Sequence, residues 1–423
     1  MTGSEVAAWR VPGRIEVLGK HTDYAGGHVL VCAVEQGVTA VARRRPGSRL
    51  VAHSAEFADP VEVTESGPDA LAAGHWGRYV ATAWRRLAAN FGALPGAELA
   101  ISTTLPLASG ISSSSALLSG AALALADLAG LRETPTWRDH VGDDPLDWAM
   151  YLASIENGGD FGPLLGNGGV GTRGGSEDHT ARFCSCPGQL GWFGSDPLAR
   201  HGHVAVPHGW VFVVAVSGVS AQKTGPAQAD YNRASSATRE ILHRWDVRTG
   251  CDDASLAAAV RSDDRALDVL GSLLTEPALF ARLEQFVTES EVLVPAAVDA
   301  LRRGDVEEFG EAVAHSQRLA EQSLGNQVPE TVALAADARA LGAPAASSFG
   351  AGFGGSVWAL VRTADADAFA ADWLGRYRAA FDRPAASTLV TAAAGPAERL
   401  DGADHPAEAT DAPAELASPV SGC

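Results

Sequence analysis

The sequence predicts an α+β / α/β chain with a large buried core, divided into about two or three domains. Three observations carry this. The chain has 423 residues, 46% of them hydrophobic and 20% charged, which is a globular balance. Short β-favouring runs alternate with helical-period runs through the first half, and helical spacing then dominates residues 231–341. Between them lies a strand, a Gly/Ser loop and a buried helix, at residues 97–128.

Taken in order, residues 11–19 alternate like a half-buried strand. Residues 20–27 form a polar loop closed by glycines, residues 29–33 resume a strand, and three or four short strands reach about Val63. Trp76, Tyr79, Val80, Ala83, Trp84 and Leu87 recur at helical spacing. The apolar run 97–104 enters a Pro-Leu-Ala-Ser-Gly turn, four serines follow, and residues 116–128 read as a buried helix. Residues 146–155 are a further helix ending near Glu156. Residues 157–176 are dominated by glycine, and Glu177-Asp178-His179 directly beyond favours a ligand site over a linker. Residues 203–217 read as a pair of strands that open a second domain. Helices follow at 256–274, 279–294 and 309–324, then a Gly-rich loop and strand at 347–358, a helix at 364–380 and a strand at 386–393. The domains expected are 1–203, 204–398 and a disordered Ala/Pro/Asp/Glu-rich tail at 399–423.

Composition excludes several classes. A net charge of −19 argues against a nucleic-acid partner. Cys32, Cys184, Cys186, Cys251 and Cys423 are scattered and make no zinc pattern, so a reduced, cytoplasmic protein is expected. No basic-then-apolar leader opens the chain and no run of about 18 apolar residues exists, so no membrane association is expected.

The serine loop is the first chemical signal. A Gly/Ser turn entering a helix presents bare N–H groups and the positive end of the helix dipole to an anion, most often phosphate. The hydroxyls of Ser112, Ser113, Ser114 and Ser115 can cap the helix, bind phosphate or ligate Mg²⁺. Taken alone, a serine cluster is more often a cap. The loop is no Walker A, because no Gly-Lys-Ser/Thr follows it.

Three segments together decide the resemblance. VPGRIEVLGKHTDYAGG, ending at Gly27, resembles the galactokinase signature PGRVNLIGEHTDYNGG. Residues 106–117 resemble the phosphate loop GLSSSAAL, and residues 349–356 resemble TGAGFGGC. Gly175-Ser-Glu-Asp178 sits where G-I-M-D is usual, and Asp230-Tyr-Asn-Arg233 resembles YNxRR. The chain is thereby similar, over about residues 11–361, to the GHMP small-molecule kinases and their galactokinase branch. The resemblance implies a two-domain fold: a ribosomal protein S5 domain 2-like N-terminal domain and a ferredoxin-like C-terminal domain, with the active site between them.

It also implies an ATP-dependent sugar kinase acting on the anomeric hydroxyl. Asp178 would be the catalytic carboxylate and Arg14 its neighbouring cation. Ser109, Gly110, Ile111, Ser112, Ser113, Ser114, Ser115 and Gly352 would hold the phosphates. Trp76 would lie near adenine, or be a core aromatic. Glu156 and one serine, taken as Ser114, would hold Mg²⁺. His21, Asp23, Gly175, His179 and Tyr231 would meet the sugar. Cofactors are therefore ATP and Mg²⁺. The partner is a small sugar, and the chain is a monomer or weak homodimer.

Three departures bear on substrate. Lys20 replaces the signature glutamate, which removes an acceptor and reverses its charge. This predicts a sugar with an anionic distal group, a uronic acid or a heptose or octose phosphate, unless Lys20 pairs with Glu16. The glycine-rich segment before Asp178 is longer than usual, and Glu177 and His179 replace Met and Gln. The alternatives are a true galactokinase and a catalytically silent sugar/ATP sensor.

Overall fold

The computed structural model describes residues 5–64, 71–72, 74–106, 110–196, 198–221 and 228–401. The strands and helices in chain order are β1 (Val6–Leu18), β2 (His28–Arg44), β3 (Leu50–Ser54), β4 (Phe57–Val63), α1 (Gly77–Phe91), β5 (Ala97–Thr103), α2 (Ser113–Ala129), α3 (Pro135–His140), α4 (Pro145–Asn157) and α5 (Glu177–Phe183). Then come β6 (Gln189–Ser195), β7 (Leu198–Ala205), β8 (Trp210–Val216), α6 (Gln228–Thr249), α7 (Leu256–Arg261), α8 (Ala266–Leu273) and α9 (Pro277–Val287). The last are α10 (Val294–Arg303), α11 (Val306–Leu319), α12 (Pro329–Ala340), β9 (Ala345–Phe349), β10 (Ser356–Arg362), α13 (Ala366–Ala380), β11 (Ser387–Thr391), β12 (Ala393–Ala394) and β13 (Glu398–Leu400).

Among the described residues one sheet has nine strands and the other four. β1 and β2 form a long antiparallel hairpin at the centre of the first. Its register slips between Pro12 and Arg14 and again between Glu16 and Leu18. Such bulges re-aim side chains, and here they flank the two β1 residues, Arg14 and Glu16, that reach the cleft. The serine loop rests on the same strand. A Cβ on Gly13 would lie 2.6 Å from Leu105 and 2.8 Å from Ile111, so only glycine lets the loop approach this closely. α2 is buried along nearly its whole length, as its Ala/Leu sequence predicts.

The second sheet runs β11-β8-β10-β9 and is antiparallel. It packs on α12 and α13 through Leu334, Trp373 and Tyr377. Ile241, Trp245, Leu270 and Phe286 form a separate small core under the loop after β1, touching Tyr24 and Ala25. The two-domain mixed architecture is the one expected.

Several boundaries differ. β2 continues to Arg44, well past the 29–33 strand, because its outer half pairs with both β1 and β5. The strand through His203 pairs with β6 and completes the first sheet, so the second sheet begins at β8. π-helical turns at Thr288–Leu293 and Ala320–Leu324 break helices that look continuous by periodicity. β13 pairs with β1, so Arg399 and Leu400 are strand and not tail. The tail expectation beyond residue 401 lies outside the described residues. Among the described residues no helix is long and apolar enough to cross a membrane.

Candidate active site

Two cavities meet in the cleft between the sheets. The first holds about 480 Å³ of open space and is polar. β1 contributes Arg14 and Glu16, the following loop His21 and Asp23, and the end of α4 Glu156. The start of α5 contributes Glu177, Asp178 and His179, and α6 contributes Tyr231.

Asp178 is the best-supported side chain in it. Arg14 Nη2 lies 2.7 Å from its Oδ1. Ser112 Oγ donates to Oδ2 at 2.7 Å and Ser115 Oγ at 3.2 Å. Arg14 Nη1 donates to the Gly110 carbonyl at 2.8 Å, which ties the carboxylate to the serine loop. Buried Arg182 donates to the Asp178 carbonyl, and to the Ser112 carbonyl at 2.6 Å. Burial lowers the pKa of Arg182 to about 10. Burial also opposes the charge on Arg14, but Asp178, Glu177 and Glu16 outweigh it and raise the pKa of Arg14 further. The guanidinium is therefore permanently charged.

This corrects the simpler view of the serines. Ser112 sits at the N-cap of α2 with φ 58°, yet makes no side-chain cap bond. The hydroxyls of Ser112 and Ser115 turn to Asp178 instead. Ser113 and Ser114 face the second cavity. Ile111 is fully buried, so its side chain belongs to the core. Ser109 lies outside the described residues.

On the sugar side, Asp23 Oδ1 accepts from the Tyr24 N–H at 2.8 Å and Oδ2 from the Glu177 N–H at 3.3 Å. A Cβ on Gly175 would stand 2.5 Å from Asp23 Oδ2, which explains glycine there. His21, at φ 58°, hydrogen-bonds Tyr24 Oη at 2.8 Å and the Ala351 carbonyl at 3.1 Å. Its ring lies 5.2 Å from that of Tyr231. His179 bridges two helices: Nε2 is 3.0 Å from Glu156 Oε2 and Nδ1 is 3.1 Å from Ser119 Oγ. It lines the cavity and at the same time holds Glu156.

Lys20 does not line the cavity, contrary to the sequence expectation. It is 1% exposed. Its Nζ donates to Ser316 Oγ at 2.8 Å, and that hydroxyl donates to Glu289 Oε1 at 2.8 Å. Glu289 Oε1 also accepts the backbone N–H of Gly19 and of Lys20, at 2.8 and 3.2 Å. The charge reversal at residue 20 is thus answered inside the protein, by Glu289 and by the charge of nearby Glu16. Burial pushes the Glu16 carboxyl up to about 7, with Glu289 and Asp23 adding to it and Lys20 and Arg14 opposing.

The second cavity holds about 990 Å³ and is mostly apolar. Phe57 and Trp76 stand 6.1 Å apart with ring planes 9° from parallel. Tyr79 and Leu117 continue the wall, and Ser112, Ser113 and Ser114 close one end. Ala351 lines both cavities, so the third Gly-rich segment sits at their junction. Gly350 and Gly355 abut Gly110 there. Gly352 does not: its Cβ position is filled by Asn326, 2.4 Å away, and it lines neither cavity. Glu156 lines the polar cavity and Ser114 the apolar one, which places the expected Mg²⁺ pair on opposite sides of the junction. Among the described residues no three His, Cys, Asp or Glu side chains form a ready-made metal cage. A Glu plus serine hydroxyls is nonetheless a donor set that suits Mg²⁺, which takes few protein oxygens and several from phosphates and water.

Sequence reasoning missed Arg182, Glu289 and Phe57, and named Glu16 only as a possible partner of Lys20. Arg182 carried a signal, four residues beyond Asp178 on one helix face. Glu289 carried none, because only the fold brings it to Lys20.

Three family models match: the galactokinase galactose-binding signature over residues 2–44, the GHMP kinases N terminal domain over 78–139, and the GHMP kinases C terminal over 297–379. Together these matches support a galactokinase-like kinase of the GHMP type. A galactokinase of Streptomyces coelicolor is 29% identical over 376 residues, covering 85% of this chain and 86% of its own. That of Chloroflexus aggregans is 27% identical over 389 residues, covering 91% and 92%. The crystal structure of Lactococcus lactis galactokinase complexed with galactose superposes with a TM-score of 0.76 at 25% identity, over 94% of this chain and 96% of that one. This kinase is accordingly a phosphotransferase acting on a sugar hydroxyl, with ATP and Mg²⁺ as its cofactors.

Proposed function

We propose that this kinase transfers the γ-phosphoryl group of ATP to the anomeric hydroxyl of a galactose-type hexose. The observation that carries the reading is Asp178, held between Arg14 and Ser112 where a carboxyl-lined cavity meets an aromatic one. The polar cavity suits a polyol, and the Phe57–Trp76 wall suits a purine.

Asp178 orients the acceptor hydroxyl and takes its proton as the new O–P bond forms and the bond to ADP breaks. Ser112 and Ser115 hold the carboxylate in one rotamer. Arg14 offsets charge on the transferring group. The α2 N-terminus and the hydroxyls of Ser113 and Ser114 receive the phosphates. Glu156, oriented by His179, and Ser114 would hold Mg²⁺, which when bound neutralises phosphate charge. Asp23, His21 and Tyr231 fix the sugar, with Gly175 making room for Asp23.

An anionic distal group is not part of this reading. Its one supporting residue, Lys20, is spent on Ser316 and Glu289, and the cavity is rich in carboxyls. The test is product identification by phosphorus NMR after incubation with MgATP and galactose. A phosphate coupled to the anomeric proton is expected. ATP binding without ADP release across a panel of aldohexoses would overturn the proposal and favour a silent sensor.

A further inference from the structure

Two carboxyls in the sugar-side cavity have no task in that mechanism. Glu16 is 2% exposed and Glu177 is 5% exposed. They reach the cavity from different elements, the central strand β1 and the start of α5. Glu16 Oε1 makes no hydrogen bond among the described residues, and Glu177 Oε1 has the Arg14 Nε ion pair at 3.4 Å but no hydrogen bond there. A buried oxygen left without a donor is destabilising, and more so when it is charged. Such oxygens persist in a cavity where a ligand supplies the missing donor.

The nearby cations are shared among several acceptors. Arg14 gives Nη2 to Asp178 and Nη1 to the Gly110 carbonyl, leaving Nε 3.4 Å from Glu177 without a hydrogen bond among the described residues. Lys20 gives Nζ to Ser316. Burial raises both carboxyl pKa values, and Glu177 is raised further by Glu16, Asp23 and Asp178. The cavity therefore carries more acids than cations: Glu16, Asp23, Glu156, Glu177 and Asp178 line it with the single guanidinium of Arg14. The signature strings make both positions neutral, with asparagine for Glu16 and methionine for Glu177. This chain has added two acids at one place.

We infer that Glu16 and Glu177 form a subsite for a ring ammonium, and that the preferred acceptor is a galactose-type hexose with a free amine at C2. The inference rests on the sugar-kinase reading above and deepens it. An ammonium brings three donors and a full charge, and charge-assisted bonds to carboxylates are about twice as strong as neutral ones. A neutral hydroxyl brings one donor and no charge. The position on the ring follows from Glu177. It adjoins Asp178 in sequence and Arg14 in space, so the group it meets lies next to the carbon that receives phosphate.

The test compares kcat/KM for galactosamine, galactose, N-acetylgalactosamine and galacturonate with MgATP. The wild type is expected to favour galactosamine over galactose at least about tenfold, which is 1.4 kcal/mol of discrimination. The N-acetyl sugar, which has lost the charge, and the uronate should both be poorer than galactosamine. Glu177→Gln and Glu16→Asn should each lower the galactosamine-to-galactose ratio at least about threefold. Should either variant fold poorly, the wild-type ratio is decisive by itself. A wild type that prefers galactose overturns the ammonium subsite and leaves the kinase reading standing. A ratio indifferent to both folded variants also overturns it. Phosphorylation of no sugar at all overturns both.

Discussion

Replacing Lys20 by methionine separates the two roles that this residue could have. In the fold its ammonium is sealed between Ser316 and the carboxyls of Glu289 and Glu16. Glu289 is fully buried and its Oε1 holds two backbone N–H groups at the mouth of the sugar loop. Removing the ammonium takes its charge away from Glu289, which it reaches through Ser316, and from nearby Glu16. Breaking a direct buried pair costs about 3–5 kcal/mol, which bounds this hydroxyl-mediated arrangement from above. The lower end applies here, since Glu289 keeps the Gly19, Lys20 and Ser316 donors. Urea unfolding should thus show a loss of about 3 kcal/mol. A Lys20→Met/Glu289→Gln double variant should recover at least about 1 kcal/mol of the summed single losses, because contacting residues couple by that order. The ratio of kcat/KM for galactose to that for galacturonate should stay within about threefold, since Lys20 does not touch the cavity. An intact stability together with a ratio moved more than about tenfold would overturn this assignment and return Lys20 to the substrate.

Gly175→Ala should raise KM for the sugar at least about tenfold and leave KM for ATP nearly untouched, because the new methyl displaces Asp23 and nothing in the aromatic cavity. Trp76→Ala should do the reverse, raising KM for ATP by removing half of the Phe57–Trp76 wall. Glu16 supplies a pH test. Its folded pKa, about 7, is raised from 4.5, so the stability linked to its protonation is full below 4.5 and lost as pH rises through about 7. Glu16→Gln should accordingly gain stability relative to wild type across that window in thermal melts. A constant difference from about pH 4.5 to about pH 8 would contradict the raised value.

Much of this was readable before the fold was known, and the reasons are local. The 97–128 strand, loop and helix follow from β-branched and apolar alternation ending in Gly/Ser and then an Ala/Leu run. The HTDY loop, the serine loop and Asp178 carry motifs specific enough to name the chemistry. Where side chains point was not readable. Ser112 as helix cap and Ser112 as partner of Asp178 are the same sequence, and only the return of α5 beside α2 decides between them. Lys20 was misjudged for the same reason: its partner hydroxyl lies 296 residues away on α11, and a π-helical turn that no periodicity announces presents Glu289. Gly352 and Gly350 also look equivalent in sequence, but Asn326 fills the space behind one and the phosphate loop abuts the other.

The proposed mechanism turns on Asp178 as the group that acts on the acceptor hydroxyl. Rapid-quench single turnover of Asp178→Asn with MgATP and galactose tests it most directly, with ATP affinity measured alongside. ATP should bind within about threefold of wild type, while the phosphoryl-transfer step slows by about 10²–10⁴, the usual worth of a positioned acid–base group. A transfer rate within about tenfold of wild type would remove Asp178 from the chemistry.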